Sequence, residues 1–261
     1  MFAKMFSLSI FLISMTIGIN TASAQNYYEA QRADYLAEHP LFAQLFAANE
    51  IERRVFVASH RAKAQAGDAK SMLLLGLALQ SGFGIEQNQA LALDWLQKAA
   101  EQGENRAIYA FAAALLKEEA RSGSDLGAVA WMKKAAEDGY AKAEAAYGAH
   151  LVMALDDAET TQGVKWLEKS FDQGHIQAAV LIARCYSFGF GVDRDWDKMI
   201  EWYKKAAELG HPTAQFILAS EHNNGHGLLK SRKQAKFWAE KAAAQGVREA
   251  TDLLKKIEAN E

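Results

Sequence analysis

The sequence predicts an all-α fold, an α/α solenoid of antiparallel helix pairs. Three observations predict it: a tryptophan lies eight positions before a glycine five times, successive glycines are 35 or 36 residues apart, and the intervals have helical patterning. A period in this range with helical patterning is typical of repeats made of helix pairs. The five tryptophan–glycine pairs are Trp95 and Gly103, Trp131 and Gly139, Trp166 and Gly174, Trp202 and Gly210, and Trp238 and Gly246.

Residues 1–24 have the pattern of a cleavable signal peptide. Lys4 precedes an apolar run at 5–19, and small residues lead up to a cleavage site after Ala24. The apolar run is shorter than the roughly 20 residues that span a bilayer, which disfavours the alternative of a membrane anchor. We therefore expect a periplasmic or secreted protein that is not stably inserted in a membrane after cleavage.

Charge and cysteine content argue against a nucleic-acid-binding protein and against a fold stabilised by internal disulfides. After removal of Lys4 the chain has 28 basic and 32 acidic residues, so we expect no nucleic-acid partner. The single cysteine, Cys185, cannot form an internal disulfide, and helix packing has to supply the stability. Because Cys185 lies on an apolar helical face, a buried and unreactive side chain is favoured over a reactive thiol.

The region 25–66 is helical in pattern but lies outside the repeat register, and we interpret it as an N-terminal cap. Pro40 predicts a break between a helix at 27–38 and a second helix. Five repeats follow at 67–246, and 247–261 is predicted to form a C-terminal capping helix. Caps are needed because the ends of a stacked array would otherwise expose apolar surface.

The first helix of each repeat is predicted to carry a small residue four positions and a large apolar residue eight positions after the leading glycine. The two residues share one face because they are four apart. The small residues are Ser71, Ala107, Ala143, Ala178, Ala214 and, after the last repeat, Ala250. The large residues are Leu75, Phe111, Tyr147, Ile182, Leu218 and Leu254.

A Gly-x-Gly loop follows the first helix in repeats one, four and five. Its first glycine, at Gly82, Gly189 or Gly225, is placed for a left-handed helix C-cap, where a Cβ would be costly. In the second helix the tryptophan shares a face with an Ala-Ala pair, and the lysine three positions after it is expected to be a solvated position whose stem covers apolar area. The short connections then make successive helices antiparallel neighbours.

These residues resemble the Sel-one-like repeats, which are relatives of the tetratricopeptide repeats. Repeat four is the best copy, with Ala178, the loop 189–192, Trp202-Tyr203 and Gly210 in the order and spacing of that family. The resemblance implies a right-handed superhelix that binds other proteins, and no cofactor is expected.

Repeats two and three depart from the family pattern. Both lack the Gly-x-Gly loop, and repeat three has Ser170-Phe171 in place of the alanine pair. The loop changes are either drift in a tolerant segment or the mark of a special surface. Phe171 is bulkier than alanine and should alter the local packing.

If the repeats curl as their tetratricopeptide relatives do, first-helix positions three, six and ten after each leading glycine line the inner face. These positions form a basic edge beside an apolar floor, which predicts a partner segment with acidic groups and one or two apolar anchors. The alternative is that position six is intramolecular core and the lysines are an ordinary solvated face. The predicted partner-binding residues are Lys70, Leu73, Arg106, Tyr109, Lys142, Gln177, Arg184 and Phe216.

The sequence contains no Ser-x-x-Lys, Gly-x-Ser-x-Gly or His-Glu-x-x-His motif and no paired-cysteine metal site, so it offers no candidate catalytic group. His222 and His226 are four apart, but Gly225 between them favours a helix end and its loop over a metal site. His175 and His211 are expected at helix starts.

The favoured function is therefore a non-enzymatic, exported scaffold or regulator that binds a protein partner. A periplasmic immunity protein that neutralises a toxic effector is the alternative. An envelope hydrolase is less favoured, because the cysteine-rich enzymes of similar build have helix-pair disulfides that a single cysteine cannot form.

Overall fold

The computed structural model describes residues 49–154 and 156–259, and this part of the chain contains twelve α-helices and no β-strand. The helices are α1 (Glu50–Gln65), α2 (Ala69–Ser81), α3 (Gln89–Glu101), α4 (Asn105–Ser122), α5 (Ala128–Glu137), α6 (Ala141–Leu151), α7 (Asp157–Asp172), α8 (Ile176–Phe188), α9 (Trp196–Glu208), α10 (Pro212–Asn224), α11 (Arg232–Ala244) and α12 (Arg248–Ala259). The predicted all-α fold of consecutive helix pairs is confirmed.

The chain forms two compact units. The first ends at Asp138 and contains α1–α5, and the second begins at Gly139 and contains α6–α12. Within each unit every helix packs against the next one in sequence. The first helices of neighbouring repeats also touch, as α2 does with α4, α6 with α8, and α10 with α12.

The five predicted repeats contain the helix pairs from α2–α3 to α10–α11. The proposed signal peptide and the break at Pro40 lie outside the described residues, and α1 covers the described end of the region 25–66. Among the described helices, none combines the length and apolar character needed to cross a bilayer.

Glycines end the first helices of repeats one, four and five as predicted. Gly82, Gly189 and Gly225 are left-handed C-caps with φ of 75°, 77° and 77°. The second glycine of the loop has a different role that the sequence analysis did not assign. A Cβ at Gly191 would lie 2.2 Å from the carbonyl oxygen of Thr160 in α7, so this glycine allows the loop to approach the preceding helix closely.

The small and large positions of the first helices build the core. All six small residues are buried. Four of the large residues are also buried, namely Leu75, Phe111, Ile182 and Leu218. Tyr147 and Leu254 are half-buried.

Four of the five repeat tryptophans are half-buried, and only Trp238 belongs to the core, with 8% of its surface exposed. In every repeat the lysine three positions later places its Nζ over the indole ring, at 4.1 Å from the ring centroid for Lys205 and Trp202 and at 5.2 Å for Lys241 and Trp238. The same contact joins Lys98 to Trp95, Lys134 to Trp131 and Lys169 to Trp166. The lysines therefore cover the rings with their charged ends as well as their stems, which adds a cation–π interaction to the packing.

Phe171 stands where the other repeats have alanine. It packs against the core of the second unit and meets Trp202 edge-on, with ring centroids 5.2 Å apart. Its neighbour Ser170 is buried, and the Ser170 hydroxyl donates a hydrogen bond of 2.7 Å to the carbonyl of Ala141. The departure from the alanine pair in repeat three is thus accommodated by one aromatic contact and one buried hydrogen bond.

Candidate protein-interaction surface

The predicted partner-binding residues of the first unit lie on α2 and α4, two helices in contact with each other. Lys70 and Arg106 are exposed, and Tyr109 is half-buried. Leu73 is only 4% exposed and belongs to the core. At these positions the first unit therefore presents one ammonium group, one guanidinium group and one partly exposed aromatic ring.

The second unit carries the other four predicted residues. Lys142, Gln177, Arg184 and Phe216 are all half-buried. The Gln177 side-chain oxygen lies 2.7 Å from His211 Nε2. Since the backbone N–H of Ala214 points to His211 Nδ1 at 3.4 Å, we assign the proton of a neutral His211 to Nε2, which donates to Gln177.

Position six of the first helix is divided between core and surface. Leu73, Ala145 and Val180 are buried. This agrees with the alternative in which position six belongs to the intramolecular core. Tyr109 and Phe216 are partly exposed and remain as the two apolar side chains that a partner would reach. Their role in binding, like that of the basic residues, stays a prediction.

Repeat three contains a buried carboxylate that the sequence analysis missed. Glu144 has no exposed surface, Lys169 Nζ lies 2.7 Å from its Oε1, and Gln173 Nε2 donates to its Oε2 at 2.6 Å. A buried charge needs such partners to offset its lost hydration. Glu144 is therefore a structural group that ties α6 to α7.

The glutamine of this hydrogen-bonded group recurs in the sequence, directly before the last glycine of a repeat. In repeats one, three and five that glutamine reaches back to the residue five positions after the leading glycine. Gln102 Nε2 lies 3.5 Å from Met72 Sδ, and Gln245 Nε2 donates to Gln215 Oε1 at 2.8 Å, which parallels Gln173 and Glu144. The recurrence was visible in the sequence, but its partner depends on how the two helices face each other.

The unusual loop of repeat two has its own hydrogen-bonded structure. Glu119 Oε1 accepts hydrogen bonds from the backbone N–H groups of Leu126 and Ala128, at 2.8 and 3.0 Å. Gly127 occupies the N-cap of α5 and has no side chain to cap the helix, so Glu119 supplies the missing acceptor. A specific capping role thus accompanies the loss of the Gly-x-Gly sequence in this repeat.

The histidine pair is arranged as expected from Gly225. His222 lies in the last turn of α10, the helix ends at Asn224, and His226 follows in the loop. His222 Nδ1 lies 3.1 Å from the carbonyl oxygen of Leu229. Among the described residues, no group of three or more histidine, cysteine, aspartate and glutamate side chains is arranged to hold a metal ion.

Cys185 is buried in α8 as predicted, with 2% of its surface exposed. Burial raises the pKa of its thiol to about 12, and it also raises the pKa of Tyr203 to about 12. Both groups are therefore neutral near pH 7, and the thiol has none of the thiolate character that reactive cysteines need.

Comparisons with solved structures show the same fold. A Sel1 repeat protein from Oxalobacter formigenes has a TM-score of 0.64 and 20% identity, with 75% of this chain and 89% of that chain covered. The immunity proteins PA5088 and Pa5087 from Pseudomonas aeruginosa have TM-scores of 0.55 and 0.53, each with 20% identity and 74% of both chains covered. At this identity the likeness establishes the fold alone. A comparison with curated protein sequences gives no significant match.

The family model described as Sel1 repeat matches five segments, at 69–104, 125–140, 157–175, 176–211 and 212–247. The matches in repeats two and three are shortened to the second helix and its surroundings, where the first helix or loop departs from the pattern. Together the segments cover more than half of the 261 residues, as the resemblance to Sel-one-like repeats predicted. The chain belongs to the Sel1 repeat family.

Proposed function

We propose that this protein is a non-enzymatic, exported scaffold or regulator that binds a protein partner through the first helices of its repeats. The observation that carries the proposal is the exposed pair Lys70 and Arg106 on the adjacent helices α2 and α4, beside the partly exposed Tyr109. Basic groups around an aromatic ring suit an acidic segment with an apolar anchor, because charge guides the encounter and the ring supplies desolvated area. Export rests on the N-terminal sequence.

The second unit extends the same proposal. Lys142 and Arg184 are the basic side chains at the predicted positions of this unit, and Phe216 is the partly exposed aromatic side chain at those positions. Gln177 is held by His211 and presents a positioned amide. The second unit would therefore offer cationic and aromatic contacts of its own.

The test begins with capture of a partner from the organism's envelope extract on the immobilised chain, followed by its identification. The variant K70E/R106E is then compared with K63E/K117E, which makes the same charge change at exposed lysines outside positions three, six and ten. We expect K70E/R106E to bind the identified partner at least about tenfold more weakly, with K63E/K117E close to the wild type. K142E tests the second unit separately.

Thermal unfolding followed by circular dichroism controls for folding in all variants. A K70E/R106E protein that folds normally and binds the partner as the wild type does would refute the role of the basic pair. Turnover of cell-wall or β-lactam substrates by the purified protein, lost on changing one polar residue, would refute the non-enzymatic part.

An immunity protein against a toxic effector is the second candidate, favoured by the fold shared with the two Pseudomonas aeruginosa immunity proteins. A toxin encoded beside this gene would be expressed in a sensitive host with and without the chain. An immunity role predicts protection that K70E/R106E reduces and K63E/K117E keeps. Unchanged toxicity in the presence of the wild-type chain would exclude that toxin as the partner.

A further inference from the structure

Three large aromatic side chains are exposed around the loop that joins α8 to α9, and we name Phe188, Phe190 and Trp196 the aromatic patch. Their exposed fractions are 59%, 47% and 48%. The rings of Phe188 and Phe190 are stacked with centroids 5.6 Å apart, and the Arg194 guanidinium lies 5.0 Å from the centroid of Trp196. Trp196 is the one tryptophan of the chain outside the repeat position.

The corresponding loops of the other repeats show that the fold does not require these aromatics. Where repeat four has Phe188 and Trp196, repeat one has Ser81 and Gln89, and repeat five has Asn224 and Arg232. All three loops have the same left-handed glycine C-cap and an Asp, Asn or Ser N-cap on the next helix.

The third aromatic, Phe190, has a buried counterpart. Phe83 of repeat one is 5% exposed and lies under the guanidinium of Arg53 in α1. Phe190 has about half of its surface open to solvent at the same loop position. Exposed apolar side chains grouped on a protein surface are typical of an interaction site.

The charged groups beside the patch indicate which partner would fit. Asp193 and Asp197 are exposed, and neither makes an ion pair within the described part of the chain. Arg194 lies on Trp196, and Lys198 has its Nζ 3.9 Å from Asp195 and over the ring of Tyr186. The cations are therefore engaged locally, whereas two carboxylates of the same loop and the start of α9 remain available.

We propose that the aromatic patch binds a peptide segment that presents an arginine or lysine next to an aromatic or aliphatic side chain. The partner's cation pairs with Asp193 or Asp197 and lies against a phenyl ring, while its apolar neighbour covers Phe188 and Phe190. An anionic membrane surface fits less well, because the two carboxylates repel acidic headgroups. This is a second surface beyond the proposed function, with the opposite charge preference to Lys70 and Arg106.

The proposal is tested first with a phage-displayed library of random peptides selected on the purified chain. A parallel selection uses F188S/W196Q, which introduces the residues of repeat one. We expect peptides enriched only on the wild type to contain lysine or arginine beside an aromatic or aliphatic residue. Peptides enriched on both proteins bind at other surfaces, such as that of Lys70 and Arg106. The proposal would be overturned if no peptide were enriched on the wild type over the variant, or if the peptides enriched only on the wild type were acidic.

Fluorescence anisotropy with an enriched synthetic peptide then separates the contributions. We expect the Kd to rise about tenfold or more in F188S/W196Q, and about threefold to tenfold in D193N/D197N with a weaker salt dependence. The matched control F237S removes an exposed phenylalanine of α11 outside the patch and should leave the Kd unchanged. An equal rise of the Kd in F237S would show that the peptide binds exposed aromatic side chains in general and not the aromatic patch.

Two further measurements distinguish other occupants. Co-sedimentation with phosphatidylcholine and phosphatidylglycerol vesicles tests a lipid surface, and analytical ultracentrifugation tests a second copy of the chain. We expect neither vesicle binding nor self-association that depends on Phe188 and Trp196. Either result, if abolished by F188S/W196Q, would replace the peptide with a membrane or a second copy as the occupant. The thermal midpoint of F188S/W196Q should stay near that of the wild type, because the replaced rings are exposed.

Discussion

Lys169 and Lys98 occupy equivalent places in their repeats but have partners that differ in burial. Each lies over its repeat tryptophan, and each forms an ion pair of 2.7 Å. The partner of Lys98 is the half-exposed Asp94, whereas the partner of Lys169 is the fully buried Glu144. Solvent screens the first pair, so the same substitution should have different costs at the two sites.

We expect K169M to lower the free energy of unfolding by about 2 kcal/mol, because it leaves a buried carboxylate with Gln173 alone, while the half-exposed lysine moderates the loss. K98M should cost about 0.5 kcal/mol. Urea unfolding of both variants measures the difference. Equal costs would mean that the Glu144 pair contributes no more than a surface pair.

Cys185 is expected to be unreactive while the protein is folded. Its raised pKa of about 12 and its burial leave no accessible thiolate, so a thiol reagent should modify it only as fast as the chain unfolds. The labelling rate with and without urea checks this. Rapid labelling in native buffer would contradict the buried, inert thiol.

The same burial predicts a loss of stability at alkaline pH. Cys185 and Tyr203 have folded pKa values of about 12, whereas in the unfolded chain they ionise near their ordinary values of about 8.5 and 10. The unfolded state therefore releases protons first as pH rises, so this contribution is complete below about pH 8 and is lost between about pH 9 and 12. Urea midpoints across that range should fall, and C185A should remove the part of the decline that begins near pH 9.

At the scale of the helix, the contribution of each second-helix tryptophan to the free energy of unfolding depends on how much of its side chain is buried. Trp238 is nearly buried, Trp202 is half-buried against Phe171, and Trp196 stands exposed at the start of α9. Substitution by alanine removes packing in proportion to the area that is buried. The three residues therefore allow the effect of burial on stability to be compared for the same side chain within one protein.

We expect W238A to cost about 3–5 kcal/mol, W202A about 2 kcal/mol, and W196A less than about 1 kcal/mol. Thermal or urea unfolding followed by circular dichroism gives the order. An unchanged midpoint in W202A would indicate that the repeat motif faces away from the packing surface. A large effect in W196A would show that this ring stabilises the fold, which would weaken its assignment to a binding patch.

Several helix ends were predictable because they depend on local chemistry. Gly82, Gly189 and Gly225 were expected at C-caps, and all three take the left-handed conformation that glycine allows. The role of Gly191 was not predictable in the same way. Its requirement comes from Thr160, about thirty residues earlier in the chain, which approaches only once the two helices are packed.

At the scale of the molecule, each compact unit is held by contacts between helices that are close in sequence. In the second unit α11 packs against α10 and α12. Stability in such an array is approximately a sum of repeat and nearest-neighbour terms, so damage should spread locally. We expect W238A to lower hydrogen-exchange protection first in α10–α12, with α6 and α7 less affected.

Hydrogen exchange read by mass spectrometry on W238A and wild type measures this spread. W196A serves as the control with no expected loss in α10–α12. A uniform loss of protection from α6 to α12 would show that the second unit unfolds as one cooperative block, in contradiction to nearest-neighbour behaviour.

The sequence by itself determined the helical class, the repeat phase and the family, because helix periodicity, glycine caps and recurring tryptophans are local signals that every repeat restates. Tertiary structure alone decided which polar and aromatic groups are buried. Leu73 and Glu144 lie in the core, whereas Phe188 and Trp196 lie in solvent. Hydropathy predicts neither the burial of Glu144 nor the exposure of the two aromatic side chains. Burial depends on which neighbouring helix covers a side chain, and packing between repeats decides which helix that is.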